Sequence, residues 1–427
     1  MKILVPVFLF ISVCVSAQLP EMIYNANIKS VRFHGFGDQL GLPMMKLGGS
    51  DRLELHFDDL DANIKNYSYT YQLCNADWTP AILSTFDYIR GFSQVRISTY
   101  RMSSIAFTRY THYQAIVPDR NSVPSRSGNY LLKVFVDGDT SKLAFTRRFF
   151  VYDEKASISA EIQQPFNGQI FRTHQKIQFR VNLNERLDVI NALQQIKVVI
   201  QQNNRWDNTA TGLRPAFFSS RALEYNTEND AVFPAGKEWR WLDLRSFRLQ
   251  SDRVESAKYE TKSTDIIVKT DIDRSQQRFN FYRDANGRYI VDVSENINPF
   301  WQGDYAHVHF SFKPPNNTPL EGKNIFVFGQ LSDYDLSENN RMTWNAEKGV
   351  YEKSLFLKQG YYDYTYVTTT EHDPSPKGLV DQTEGNFWET ENDYTILVYY
   401  RSMGGRADEL VALARVNSLS GRQGIRR

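Results

Sequence analysis

The sequence predicts an all-β protein built from three consecutive β-sandwich domains. The chain has 427 residues. Ordinary domains contain about 100–200 residues, so this length exceeds that of two domains. It is rich in Phe (28) and Tyr (24), which favour the half-buried surface of a pleated sheet. Short runs of alternating apolar and polar residues recur between turn residues, which is typical of antiparallel strands.

The composition is that of a folded protein without a strong charge. Apolar residues make up 41% and charged residues 23% of the chain, close to average globular usage. Fifty Lys and Arg against 49 Asp and Glu leave a net charge of +1. No strong field is available to attract phosphate backbones or anionic lipids, so nucleic acid is not an expected partner.

The first 17 residues have the pattern of a cleavable signal peptide. A basic start, an apolar stretch and the small-residue site before Gln18 predict export and cleavage after Ala17. Cys14 raises a lipoprotein alternative, but Val13 is bulkier than the residue that lipidation sites prefer. No later stretch reaches the ~18 apolar residues of a membrane span, so no direct membrane insertion is expected.

Cleavage would leave Cys74 as the remaining cysteine, so no internal disulfide is predicted. Tyr69, Tyr71 and Leu73 alternate up to it as on a strand. We therefore expect Cys74 to be a buried free thiol, since free cysteine is among the most buried residue types.

The predicted N-terminal sandwich covers residues 18–154. Its clearest element is a hairpin, in which 130–136 and 143–151 pair across an Asp-Gly turn. The stretch from Pro80 to Ile105 is less regular and is expected to form a long loop or short helical turns.

The predicted middle sandwich covers residues 155–315, and includes a hairpin of 279–282 with 288–293. Proline ends strands, so Pro314-Pro315 is taken as the boundary to a C-terminal sandwich at 316–419. There, 409–416 is a closing strand or a short amphipathic helix, and the strand is favoured. Residues 420–427 are expected to be a flexible tail, and the three domains to form a rod.

Catalytic templates fail in this sequence. The nucleophile elbow Gly-x-Ser-x-Gly, the zinc helix His-Glu-x-x-His and the phosphate loop Gly-x-x-x-x-Gly-Lys are absent. We therefore predict a protein that is not an enzyme, with no catalytic residues. A pair of carboxylates for glycoside hydrolysis stays open, because such pairs are distant in the chain.

Three weaker patterns in the sequence bear on metal binding. His307 and His309 share a strand face, but no third ligand is evident nearby, so a packed or hydrogen-bonded face is preferred. An acidic turn contains Asp58, Asp59 and Asp61, where a calcium site is conceivable. Capping of the turn by these side chains is the preferred interpretation. Residues 284–287 resemble part of a calcium loop. The first and last ligand positions of that loop are occupied by Tyr282 and Val293, which do not match its pattern. No metal site and no cofactor are predicted.

Six short motifs lie in the first two predicted domains, at Cys74–Trp78 (CNADW), Gly91-Phe92, Tyr110–Tyr113 (YTHY), Ser127–Val134 (SGNYLLKV), Arg205–Asn208 (RWDN) and Leu213–Pro215 (LRP). In combination they resemble the type IX secretion system plug protein family of Bacteroidota. The resemblance covers nearly the whole mature chain and is specific by combination, while the Arg-rich end after Asn417 has no counterpart. In CNADW, Trp78 is expected to pack and Asp77 to cap a turn.

The last predicted domain contains four short motifs, at Phe326–Gly329, Met342–Trp344, Gly349–Tyr351 and Leu357–Tyr364. They resemble early-set immunoglobulin-like modules, a group that includes glycogen-binding domains. Glycan binding in such modules uses exposed Trp platforms, and Trp344 and Trp388 are only loosely placed for this, so core packing is preferred. An exported carbohydrate-binding protein is the alternative function.

The plug-family resemblance implies a periplasmic, non-catalytic protein. Such a protein binds the outer-membrane translocon barrel of the type IX secretion system and closes its periplasmic opening when no substrate is in transit. Surface aromatics and Arg side chains, which are enriched at binding hot spots, are expected at the contact. Sequence alone does not choose among them, so the partner-binding residues stay unknown at this point.

Overall fold

The structure is a computed structural model that describes residues 21–219 and 221–420. Within these residues the chain forms 30 strands, three one-turn α-helices and two 3-10 turns. The all-β prediction is confirmed. The predicted signal peptide lies outside the described residues, as does the predicted tail beyond Ser420. In the described part of the chain, no helix is long and apolar enough to cross a membrane.

The first sandwich contains two sheets, ordered β1-β3-β8-β7 and β2-β11-β10-β4-β6, with a small β5-β9 ribbon. The predicted hairpin is confirmed as β10-β11. Alternation along β4 turns Tyr67, Tyr69, Tyr71 and Leu73 into the core between the sheets. The elements are β1 (Ile28–Gly35), β2 (Met44–Lys46), β3 (Leu53–Asp59), β4 (Tyr67–Cys74), α1 (Thr85–Tyr88), β5 (Ile89–Gly91), β6 (Val95–Arg96), β7 (Thr99–Met102), β8 (Thr111–Val117), β9 (Ser122–Pro124), β10 (Gly128–Val136) and β11 (Leu143–Tyr152).

The second sandwich combines residues from two distant parts of the chain. One sheet is β12-β13-β17-β16 with β18 beside β13, and the other is β15-β14-β29-β30. The favoured strand at 409–416 is confirmed as β30. The elements are β12 (Ala156–Gln163), β13 (His174–Leu183), α2 (Ala192–Gln195), β14 (Ile196–Gln202), β15 (Thr209–Ala210), β16 (Phe217–Phe218), β17 (Ala222–Tyr225), β18 (Val232–Pro234), β29 (Asp393–Tyr400) and β30 (Glu409–Asn417).

The third sandwich lies in the chain between β18 and β29. Its sheets are β19-β28-β23 with β25 beside β28, and β20-β21-β24-β27-β26 with β22 beside β24. The 3-10 turns lie at Pro315–Asn317 and Gln330–Ser332. The other elements are β19 (Arg240–Asp243), β20 (Val254–Tyr259), β21 (Thr264–Val268), β22 (Asp271–Ile272), β23 (Tyr289–Val291), α3 (Pro299–Gln302), β24 (Tyr305–Lys313), β25 (Lys323–Phe328), β26 (Thr343–Asn345), β27 (Val350–Lys358) and β28 (Gly360–Thr370).

The strand pairing favours a different division of the chain from the predicted one. β24 and β27 pair from Tyr305↔Lys358 to Phe312↔Tyr351, so the expected boundary at 315/316 falls inside one sheet. The two prolines end β24 and form a turn, and the chain beyond them returns to the same sheet as β27. We propose that the third sandwich is an insertion in the second. The expected boundary at 154/155 falls between β11 and β12, which belong to different sheets.

Two further expectations are wrong. Residues 279–282 form no strand, and β23 pairs with β28, so the predicted hairpin across 284–287 does not form. The molecule is also not a rod, because each sandwich contacts both others. Ser30 Oγ lies 2.8 Å from Tyr305 Oη across the first–third junction. Across the second–third junction, the Arg205 guanidinium lies 4.9 Å from the centre of the Phe328 ring.

Candidate functional site

Two motif tryptophans meet where the first and second sandwiches touch. Trp78 follows β4 and Trp206 follows β14, and their rings pack edge to face with centroids 4.9 Å apart. The Arg148 guanidinium lies 4.5 Å from the Trp78 ring centre and 4.3 Å from that of Trp206. Burial lowers the pKa of Arg148 to about 10. The expected roles in CNADW are confirmed, because Trp78 packs and Asp77 Oδ1 accepts a hydrogen bond from the Thr79 amide at 3.0 Å.

Buried polar contacts hold the same loop against the second sandwich. The Ala76 amide donates to Asp408 Oδ2 at 3.0 Å, and Arg401 Nε donates to Asp408 Oδ1 at 2.7 Å. Tyr399 Oη donates to Asn129 Oδ1 at 2.7 Å. Three of the motifs that carry the resemblance, CNADW, SGNYLLKV and RWDN, therefore meet at the contact between the first and second sandwiches.

A buried ion pair joins the first and third sandwiches. Lys358 Nζ lies 2.5 Å from Asp58 Oδ2, and both side chains are 1% exposed. Tyr305 Oη donates to the same carboxylate at 2.6 Å, and His112 Nδ1 lies 2.7 Å from its other oxygen. Burial favours the neutral acid, but Lys358 and His112 outweigh it and hold the pKa of Asp58 below its ordinary value.

Two aspartates of the acidic turn, Asp58 and Asp59, have different roles. Asp59 Oδ1 accepts from the Asp61 amide at 3.0 Å, which confirms the preferred capping for that residue. Asp58 instead faces the third sandwich. No local pattern around Asp58 indicates its role at the junction, because Lys358 lies 300 residues away in the chain.

A stretch of the first sandwich exposes an unusual number of apolar side chains. Seven of the 24 exposed large apolar side chains in the described residues fall between positions 82 and 107. Four Arg and one Asp lie within 82–109, so the stretch is also basic. Its exposed apolar members are Ile82, Phe86, Phe92, Tyr100, Met102, Ile105 and Phe107.

Local backbone structure presents these side chains. α1 buries Tyr88 and leaves Phe86 82% exposed. Gly91 adopts φ 99°, and a Cβ there would lie 2.0 Å from the Asn121 carbonyl oxygen, so only glycine fits beside Phe92. β7 is exposed along its whole length and forms a sheet edge, a surface that can pair with another chain.

Residues 28–153, which include this stretch, match the family model described as the type 9 secretion system plug protein 1st domain. The first sandwich belongs to that family. The plug domain thus carries both the CNADW loop and the exposed stretch. This confirms the family resemblance and supports a role connected with type IX secretion.

A solved structure resembles the chain over nearly its whole length. The crystal structure of a hypothetical protein from Parabacteroides merdae is 29% identical, with a TM-score of 0.88 over 94% of this chain and 100% of that one. A trypsin-activated alpha-2-macroglobulin from Escherichia coli is 10% identical, with a TM-score of 0.17 over 91% of this chain and 28% of that one, too low to indicate a common fold. No curated protein matches the sequence.

The remaining residues considered for metal binding lie apart from the plug domain's exposed stretch. His307 is exposed and lies 4.9 Å from the Phe356 ring, while His309 Nε2 lies 2.7 Å from Asp265 Oδ1. Among the described residues, His307 and His309 do not belong to any group of three side chains that lie close enough together to bind one metal ion. Cys74 is buried, as expected, and burial raises the pKa of its thiol to about 12.

The two tryptophans considered for glycan binding do not form one platform. Trp344 packs edge to face on Tyr351 at 4.9 Å, against the core of the third sandwich. Trp388 packs against the core of the second sandwich. Core packing was the preferred interpretation for both, and these contacts agree with it.

Buried carboxyl groups gather where the second and third sandwiches meet. Burial, reinforced by the charge of Asp284, raises the pKa of Glu238 to about 9 and that of Asp363 to about 8. Burial also raises the pKa of Asp284 to about 6. Glu391 belongs to the same group, since its Oε2 accepts from Asn286 Nδ2 at 2.8 Å. The pKa of each of these four carboxyl groups therefore lies above its ordinary value in the folded protein.

We expect stability to fall as pH rises because of these groups. An unfolded Glu titrates near pH ~4.3, so between that value and about 9 the folded state binds a proton at Glu238 that the unfolded state lacks. Glu238→Gln should raise the thermal midpoint at pH 8 and change it little at pH 5, each kcal/mol corresponding to about 2–4 °C. Glu338→Gln, at an exposed site, is the control. Parallel pH profiles for Glu238→Gln and the unaltered protein would contradict this expectation.

Proposed function

We propose that this protein is a non-catalytic periplasmic component of the type IX secretion system that binds the outer-membrane translocon barrel and plugs its periplasmic opening. The observation that carries the proposal is the match of residues 28–153 to the plug protein first domain. Motifs beyond that domain, at Arg205–Asn208 and Leu213–Pro215, also resemble the plug family. They support extending the plugging role to the whole chain.

The packing of the sandwiches suits an obstruction. A plug must resist deformation, and three mutually contacting sandwiches give more rigidity than a flexible series of domains. The Trp78–Trp206 contact and the Asp58–Lys358 pair stabilise two of the three junctions. A net charge of +1 gives little general attraction for passing polypeptides of either sign.

The exposed stretch of the plug domain is the proposed contact with the barrel. Aromatic and Arg side chains carry much of the energy at protein interfaces. Phe86, Phe92 and Tyr100 supply rings, and Arg90 and Arg101 lie among them with exposed side chains. The unpaired edge of β7 adds backbone donors and acceptors to this surface.

Deletion in intact cells tests the function. Loss of the protein should make the outer membrane more permeable to large solutes, and additional loss of the translocon barrel should abolish the increase. Unchanged permeability with an intact barrel would contradict plugging. Tight binding of soluble α-glucans by the purified protein, without co-purification of a barrel, would support the carbohydrate-binding alternative instead.

A further inference from the structure

Three potential metal ligands converge on one face of the first sandwich. His34 in β1 is the direct cross-strand partner of Glu54 in β3, and His56 lies two residues further along β3. One ring nitrogen of each histidine and a carboxylate oxygen of Glu54 all lie within 4.8 Å of one another. Both histidines are 2% exposed, and the Glu54 side chain is 16% exposed.

The proton positions on His34 leave one nitrogen available. Nδ1 lies 2.9 Å from the Gly35 carbonyl oxygen, which can only accept a hydrogen bond, so Nδ1 carries the proton. Nε2 then has a free lone pair. This buried atom has no hydrogen-bond partner among the described residues.

A hydrogen-bonded chain gives His56 the same tautomer. His112 Nδ1 donates to the Asp58 carboxylate at 2.7 Å, so His112 Nε2 accepts from His56 Nδ1 at 3.1 Å. The lone pair of His56 Nε2 is therefore free, 3.9 Å from Glu54 Oε1.

We propose that His34 Nε2, His56 Nε2 and Glu54 bind a divalent transition metal ion, with zinc as the preferred ion. Two neutral imidazoles and one carboxylate are a common zinc ligand set. Bonds of about 2.1 Å would place the ligand atoms roughly 3.4 Å apart, so small side-chain rotations complete the site. The Gly35 carbonyl and the His112–Asp58 pair supply the outer hydrogen bonds that orient metal-bound histidines.

Two cations nearby oppose metal binding, but both have partners. Lys358 pairs with Asp58, and Arg32 donates to Gln330 Oε1 at 2.7 Å and to the Gln39 carbonyl at 2.5 Å. A bound metal ion would lie between His56 Nε2 and Glu54 Oε1, which are 3.9 Å apart. The partly exposed Glu54 side chain gives an ion access from solvent.

The site would also stabilise the first–third junction. The His56 ring stacks on Phe300 of the third sandwich, with centroids 4.0 Å apart and planes at 6°. A ligand that binds only the folded arrangement raises its stability by mass action. We therefore expect metal binding to raise the thermal midpoint of the whole chain.

Zinc titration of the chelator-treated full chain tests this site. Calorimetry and elemental analysis should give one bound zinc per chain and a raised thermal midpoint, and Co²⁺ should give the visible absorption of a low-symmetry site. His34→Gln and Glu54→Gln should each weaken zinc affinity at least tenfold, whereas His307→Gln should leave it unchanged. No zinc bound by the unaltered chain would overturn the proposal.

The variants also locate the ion. Glu54 is partly exposed, so Glu54→Gln tests the site even where His34→Gln fails to fold, and circular dichroism checks both. Unchanged affinity in Glu54→Gln would place the ion elsewhere and overturn the assignment. Because every measurement uses the isolated chain, its outcome is independent of barrel binding.

Discussion

Lys358→Ala should destabilise the protein by about 3–5 kcal/mol, the range seen when one partner of a buried ion pair is removed. The substitution leaves the Asp58 carboxylate buried, with Tyr305 and His112 as its remaining partners. It also removes a cation 4.1 Å from the centre of the Tyr110 ring. Denaturant unfolding, followed at several probes because the chain has three sandwiches, should show the first–third junction opening earlier.

Lys348→Ala is the matched control. Its ammonium also pairs with a carboxylate, Glu352, but the Lys348 side chain is 65% exposed. Exposed pairs of this kind contribute about 0–1 kcal/mol, because water and salt screen them. Similar losses in the two variants would show that burial of the Asp58–Lys358 pair does not govern its contribution.

The double variant Phe86→Asp/Phe92→Asp should reduce co-purification of the translocon barrel at least tenfold. Both rings are largely exposed, at 82% and 69%, so their replacement should leave the fold intact. A tenfold loss corresponds to about 1.4 kcal/mol of binding, less than a single aromatic hot spot often contributes. Quantitative pull-down from cells that produce both proteins measures the effect.

Phe217→Asp/Phe218→Asp provides the comparison on the second sandwich. These rings are also exposed, at 59% and 52%, and also lie close together in the chain. The control should leave barrel recovery unchanged. If both double variants bind the barrel like the unaltered protein, the contact lies outside the exposed stretch of the plug domain.

Local patterns predicted the individual strands well. The β10-β11 hairpin has alternating residues around an Asp-Gly turn, so neighbouring residues alone specify it. The irregular stretch from Pro80 contains α1, a short helical turn of the expected kind, and also three short strands that were not expected. Its exposed side chains were not predicted, because an apolar residue in a loop gives no periodic signal of which side it faces.

Long-range pairing was not predicted from the sequence. Pro314-Pro315 looked like a boundary because proline ends a strand, but the same property also makes a turn within one sheet. Val198 pairs with Val398 across 200 residues, and nothing local to either strand identifies its partner. The pairing of β14 with β29, on which the proposed insertion of the third sandwich rests, is therefore seen only in the folded chain.

The sequence by itself determined the all-β class, the buried Cys74 and the plug-family resemblance, since these depend on alternation, residue type and short motifs. Only the tertiary structure decided which motif residues meet, which sandwiches touch and where titratable groups are buried. The physical reason is that hydrogen bonds, ion pairs and ligand sets depend on distances of a few ångströms between residues far apart in the chain. Asp58 illustrates this: its own segment indicated a turn, and its contact with Lys358 made it part of a junction.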